Sequence, residues 1–424
     1  MKITPKASLP PSFHAVASRD KASVLVAVCL AALILPLSFT GGAIATPTIG
    51  RDLGGSPLAL SWITNAFMLS FGSLLMTAVA LADAFGRKRL FAGGVLAFSV
   101  ASIVIVWVPS IAWLDALRAV QGIAAAAALA GGSAALAQEF DGDARTRAFS
   151  FLGTSFGAGL AFGPVLAGLL IEYQGWRSVF LSSAFVGTFA LLLGVPRMRE
   201  SLDPDVVRFD WLGAMSFTST LCLFTWGVLQ LPPSGWSSSQ AWVLLGSALL
   251  SLVVFLRCEA RARRPMLDLS LFRYPQFIGV QMLPVATCYC YVVLLVLLPL
   301  RLIGLDGLNG VSAGLIMIAL SIPMLVVPSV AASLTRWASP GKISAAGLLI
   351  AAFGLFWLSS IDPLGRQASI LGPLLVIGVG TGLPWGLMDG LAVSVVPKER
   401  AGMATGIFST TRVARWVRCF ASNN

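Results

Sequence analysis

Twelve apolar stretches, each closed by a polar or charged turn, follow one another along most of this chain. They cover about 22–46, 57–81, 90–109, 111–138, 148–171, 177–196, 211–231, 241–257, 276–300, 310–335, 341–361 and 368–396. A helix needs about 20 apolar residues to cross the roughly 30 Å hydrocarbon core, and most of these stretches have that length. In lipid the backbone must pair its own N–H and C=O groups, so successive stretches of this kind fold as helices. The fold class is all-α, a polytopic membrane protein. Hydrophobic residues are 57% of the chain and charged residues 11%, which sets it apart from soluble domains. The first stretch is too long for a signal-peptide core and has no small-residue cleavage site at its end, so it is expected to stay in the protein.

A net charge of +11 is compatible with nucleic-acid binding until its distribution is read. Lys2, Lys6, Arg19 and Lys21 precede the first stretch. Basic residues then fall in every second loop, as in Arg87-Lys88-Arg89, Arg145 and Arg147, the five arginines between 257 and 273, and Arg336 with Lys342. The intervening loops hold only Arg51, Arg177, Arg301 and Arg366, so the split is 21 against 4. That bias is a topology signal and places the N-terminus in the cytoplasm; nucleic acid is not an expected partner.

Catalytic and metal chemistry find little support. The single histidine, His14, lies in the polar N-terminal tail, so a histidine-based triad or metal site is excluded. Cys288 and Cys290 are two apart and point to different faces of a helix. No nucleophile, base and ligand set appears, and the expectation is no metal, no cofactor and no enzyme.

The stretches group into four parts: a cytoplasmic tail at 1–21, a six-helix bundle at 22–196, a linker region with two extra transmembrane helices at 197–275, and a second bundle at 276–424. Six spans, an inserted pair and a second set is the layout expected of duplicated transporter halves. Within the fifth stretch, Gly153, Gly157, Gly159, Gly163 and Gly168 line an apolar run, with Pro164 after Gly163. Glycines four apart share a helix face and let another backbone come close. Pro164 leaves the Leu160 carbonyl without its helical partner, so a bend is expected there. Together these features point to two bundles that shift against each other.

Four segments carry a resemblance. Ala82-Asp83-Ala84-Phe85-Gly86-Arg87-Lys88-Arg89 is similar to the loop signature of the major facilitator superfamily. Arg118-Ala119-Val120-Gln121-Gly122 resembles that family's second motif. Gly159-Leu160-Ala161-Phe162-Gly163-Pro164, closing with Ala167-Gly168, resembles its antiporter motif, which marks exporters. Pro47-Thr48-Ile49, Asp52-Leu53-Gly54 and Ser61-Trp62 are similar to the first connection of the fourteen-span drug:proton antiporter branch. The resemblance covers about residues 22 to 411. It departs at Val79, where the family usually has glycine, and at Ala84, where it usually has a basic residue. Ser38 stands where related antiporters often carry an acid.

The resemblance implies a multi-pass protein of the plasma membrane (the bacterial inner membrane) that exports small amphipathic compounds, with a proton gradient as its energy source. Its expected partners are a small-molecule substrate, protons and the lipid bilayer, and it is expected to work as a monomer. An uptake symporter on the same fold is the alternative. In the gating loop, Asp83, Gly86, Arg87 and Lys88 either hold the start of the penultimate span near Ala401-Gly402, as the resemblance implies, or anchor to anionic lipid.

A buried arginine costs at least about 3 kcal/mol at mid-membrane unless paired or hydrated. Asp115, one turn from Arg118, is its expected partner. The two either form a structural pair near the outer surface or join Gln121 in a polar route for protons. Asp389, in the twelfth stretch, is expected to take and release a proton as access switches, or to sit packed and protonated. Trp62, Asn65 and Trp385 either line a cavity for apolar or aromatic compounds or belong to interface belts.

Gly402 to Thr411 resembles the start of a further span, but Arg412, Arg415 and Arg418 follow. Three arginines at that spacing cost several kcal/mol in lipid. The segment is expected to stay cytoplasmic, leaving twelve full spans and an incomplete thirteenth. A premature stop or frameshift in a fourteen-span parent gives such a pattern, and a non-transporting remnant is the matching alternative function.

Overall fold

The computed structural model describes residues 11–201, 211–234, 239–261, 273, 275–304, 306–308, 310–361 and 367–395. The predicted spans fold in order. The first six are α1 (Pro11–Leu53), α2 (Pro57–Phe85), α3 (Arg87–Val104), α4 (Ile111–Glu139), α5 (Gly142–Gln174) and α6 (Arg177–Gly194). The inserted pair is α7 (Trp211–Ser234) and α8 (Ser239–Arg261). The ninth stretch becomes α9 (Pro275–Thr287), a π-helical turn at Cys288–Val292 and α10 (Val293–Gly304). The tenth is split into α11 (Gly310–Ser321) and α12 (Pro323–Leu334), followed by α13 (Pro340–Ser359) and α14 (Leu371–Ser394).

Local chemistry sets the ends. Ser56 caps α2, its Oγ accepting from the Ala59 N–H at 3.2 Å, with Pro57 at the first helical position, where a missing N–H costs nothing. Gly86 ends α2 and precedes α3 at φ 110°, a backbone state open to glycine.

One expectation is altered. Helix α1 begins at Pro11, inside the expected tail, and Lys21 Nζ already donates to the Glu139 carbonyl at 2.8 Å. Eleven helices among the described residues are long and apolar enough to cross a membrane. In α7 the serines and threonines bond locally, as Ser216 Oγ does to the Leu212 carbonyl at 2.6 Å and Thr220 Oγ1 to the Ser216 carbonyl at 2.7 Å. Helix α5 continues through Pro164 as one element, and the tenth stretch divides at Ile322, ahead of Pro323. The segment 401–424, with its arginines, lies outside the described residues.

In the first bundle α2 packs on α4, α1 on α5 and α6, and α3 on α4 and α6. In the second, α14 is central and touches α9, α11, α12 and α13. The bundles meet chiefly along α5, which lies against α11 and α12. One apolar core runs through the seam, from Phe39, Phe67, Phe71 and Phe156 to Tyr291, Met324 and Trp385. Helix α7 lies along α2, and α8 closes the hairpin against α7.

Candidate functional site

The glycines of α5 serve two different neighbours. A β-carbon on Gly159 would collide with the Leu33 carbonyl and the Pro36 ring of α1, and one on Gly163 would collide with Thr40. These positions let α5 lie directly on α1, within the first bundle. Pro164 and Gly168 are buried on the same helix. Gly157 looks the other way. A β-carbon there would stand 3.8 Å from the Met324 carbonyl and 3.9 Å from Trp385 Nε1, both in the second bundle. One helix therefore binds its own bundle through Gly159 and Gly163 and faces the other through Gly157.

Arg118 of α4 is fully buried. Its Nε donates to the Ile63 carbonyl at 2.8 Å, and its Nη1 donates to Ser38 Oγ at 2.9 Å and Gln121 Oε1 at 2.7 Å. Gln121 Nε2 donates in turn to Ser102 Oγ at 2.7 Å. The Phe67 ring lies 4.4 Å from the guanidinium carbon, close enough for cation–π attraction.

The expected ion pair with Asp115 is not made: the ion pairs within 4.0 Å among the described residues are Arg87–Asp83, Arg89–Glu200, Arg177–Asp52 and Arg197–Asp20. Arg118 reaches across to α1 and α2 instead, through Ser38 and Ile63. Asp115 Oδ1 and Arg118 Nη2 are both buried without a hydrogen-bond partner. Ser38, at the position where an acid was expected from the resemblance, is a neutral acceptor for the cation.

The loop between α2 and α3 is held from within the first bundle. Asp83 Oδ1 accepts from Arg87 Nη2 at 3.0 Å and Nε at 3.2 Å, while Arg87 Nη1 reaches Gln138 Oε1 at 3.5 Å. Two residues that the sequence reading missed complete the contacts. Glu200 Oε1 accepts from the Lys88 N–H at 3.2 Å, and the Ser201 carbonyl accepts from the Arg87 N–H at 3.2 Å. Glu200 Oε2 stands 3.5 Å from Arg89 Nε. A carboxylate at the first turn of α3 satisfies free N–H groups and meets the positive end of the helix dipole. The only sequence signal was an acid following the sixth span, with three cations in an earlier loop. The implied partner near Ala401-Gly402 lies outside the described residues.

The three cavity candidates have different immediate neighbours. Trp62 packs edge-on against Trp226 of α7, with centroids 6.0 Å apart. Asn65 is buried in α2. Trp385 is buried in the second bundle, its ring 6.3 Å from that of Tyr291. Asp389 lies on α14, and its side chain is outside the described residues. At the end of the first bundle opposite the α2–α3 loop, Asp52 Oδ2 accepts from Arg177 Nη1 at 2.7 Å and Trp176 Nε1 at 2.9 Å, beside a cleft of about 430 Å³.

Residues 27–414 match the family model described as Major Facilitator Superfamily. The chain belongs to the major facilitator superfamily. This major facilitator protein is 32% identical over 399 residues to the cephamycin export protein CmcT of Amycolatopsis lactamdurans, covering 92% of this chain and 82% of that one. It is 29% identical over 402 residues to the multidrug resistance protein Stp of Mycobacterium tuberculosis, covering 93% and 74%. Among solved structures it resembles the peptide transporter POT in complex with sulfate (TM-score 0.68, 13% identity, 94% and 87% covered). It also resembles the xylose transporter XylE from E. coli (TM-score 0.63, 14% identity, 95% and 90% covered). At such identities the structural likeness speaks to the fold alone.

Proposed function

We propose that this chain is a proton-driven exporter of small amphipathic compounds, working by alternating access between its two bundles in a bacterial inner membrane. The observation that carries the reading is the buried network of Arg118, Gln121, Ser38 and Ser102. Ionisable groups kept inside a membrane bundle mark ion pathways, and Asp115 adds a buried carboxyl oxygen with no donor, one turn away. The direction of transport rests on the relatives named for export and multidrug resistance and on the Gly159 to Gly168 segment. The charge bias puts the α2–α3 loop and the N-terminus in the cytoplasm. There Asp83 and Arg87 hold the loop in one state and exchange partners when the bundles rock, as a ligand-biased equilibrium requires.

Accumulation of a fluorescent drug in efflux-deficient cells, with and without a protonophore, tests this. Cells making the unaltered chain should extrude the drug until the protonophore is added, and Asp83→Asn and Asp389→Asn should each slow extrusion. Absence of protonophore-sensitive extrusion by the unaltered chain would refute the function. Unchanged extrusion by both variants would refute the residue roles.

A further inference from the structure

In the second bundle, two proline-bearing spans and an aromatic pair converge on the seam. The ninth span leaves α geometry at Cys288–Val292, four residues after Pro284. Turns of this π type re-aim side chains and recur at functional sites. Tyr291, on that turn, is fully buried, and its hydroxyl lies 3.3 Å from Ser321 Oγ. Ser321 is the last residue of α11, where the tenth span is interrupted before Pro323. The Trp385 ring stands at 54° to the Tyr291 ring. The bare face of α5 at Gly157 covers the group from the first bundle.

We infer that Tyr291, Trp385 and Ser321 form the second bundle's half of the substrate site, and that it takes planar aromatic compounds bearing a ring hydroxyl. The inference rests on the proposed export function and deepens it. Two large rings set at an angle offer a stacking face and an edge to a flat ligand. The hydroxyl pair supplies the polar selection: 3.3 Å is long for an O–H···O bond, so both oxygens gain from a closer partner. Tyr291, Ser321, Trp385, Met324 and Gly157 carry no formal charge, which fits a neutral ligand. Gly157 puts no side chain between α5 and the Trp385 ring, and withdrawal of α5 as the bundles rock would open the site on that side.

The test is binding of 1-hydroxypyrene and 1-methylpyrene to the full chain in lipid nanodiscs, counted above empty nanodiscs. The unaltered protein should bind both. Tyr291→Phe keeps the ring and loses the hydroxyl, so it should weaken 1-hydroxypyrene about five- to tenfold and leave 1-methylpyrene unchanged. Trp385→Leu should weaken both probes, and Trp385→Phe should restore part of the loss, separating a stacking role from a folding defect. Binding of neither probe by the unaltered chain would overturn the site. So would an equal shift, or no shift, of both probes in Tyr291→Phe. Binding that follows the predicted pattern in a chain that fails to move either probe under a proton gradient would uphold the site and refute the export reading.

Discussion

Arg118 takes its partners Ser38 and Ile63 from 80 and 55 residues away, and Gln121 extends the network to Ser102, 19 residues before it. A sequence shows only that the arginine is buried and that Asp115 sits one turn off; which serine or carbonyl meets the guanidinium depends on how α1, α2 and α4 pack. Nearest-neighbour reasoning therefore chose Asp115 over the neutral groups that hold the cation. Arg118→Lys keeps the charge and loses the fork that serves two helices at once. It should lower thermal stability by about 1.5–3 kcal/mol for each charge-assisted bond lost, read from the melting of the purified protein, and should slow transport. Glu200 was equally hidden, because a loop acid carries no periodicity. Gly86→Ala forces an alanine into φ 110° and against the Glu200 carboxylate, at a cost of about 1–3 kcal/mol. Glu200→Ala removes the obstacle, so the double variant should lose less than the two single losses combined. Strictly additive losses in the same melting assay would show that the contact is absent.

Helices were the most legible feature, since lipid converts an apolar run into a helix with few alternatives. Irregularities within them were less so. Pro164 and Pro323 look alike in sequence, yet α5 continues through the first, while at the second the Leu325 N–H bonds the Ile322 carbonyl at 3.1 Å in a tighter turn. Gly159 and Gly163 bring α1 directly against α5 on the turns that lead into its proline. Helix α7 is tied to α2 by polar contacts as well as by packing. Thr218 Oγ1 donates to the Ser73 carbonyl at 3.2 Å, and Cys222 Sγ lies 3.3 Å from Ser73 Oγ. With Trp62–Trp226 near one end and Phe85–Trp211 at the other, the hairpin is an attachment of the first bundle. Ser73→Cys, in a chain whose cysteines other than Cys222 are replaced, should cross-link to Cys222 under mild oxidation. The measurement is the joined fragments after cleavage between the two positions, and free fragments would show that α7 is not docked there.

For the molecule as a whole, two bundles touch along α5 through a shared apolar core. The duplicated layout was visible in the order of the stretches and the alternation of charge. The aromatic group at Tyr291 was not, because its members come from the ninth, tenth and twelfth stretches and meet only in the folded chain. The central claim is that inward proton flow drives compounds out through this seam. Inside-out vesicles bearing the unaltered chain, with an acidic interior and a neutral bath, test it most directly by following uptake of a fluorescent drug. The account predicts accumulation inside the vesicles that collapses when a protonophore is added. Accumulation only when the bath is the acidic side would mean symport, and would contradict it.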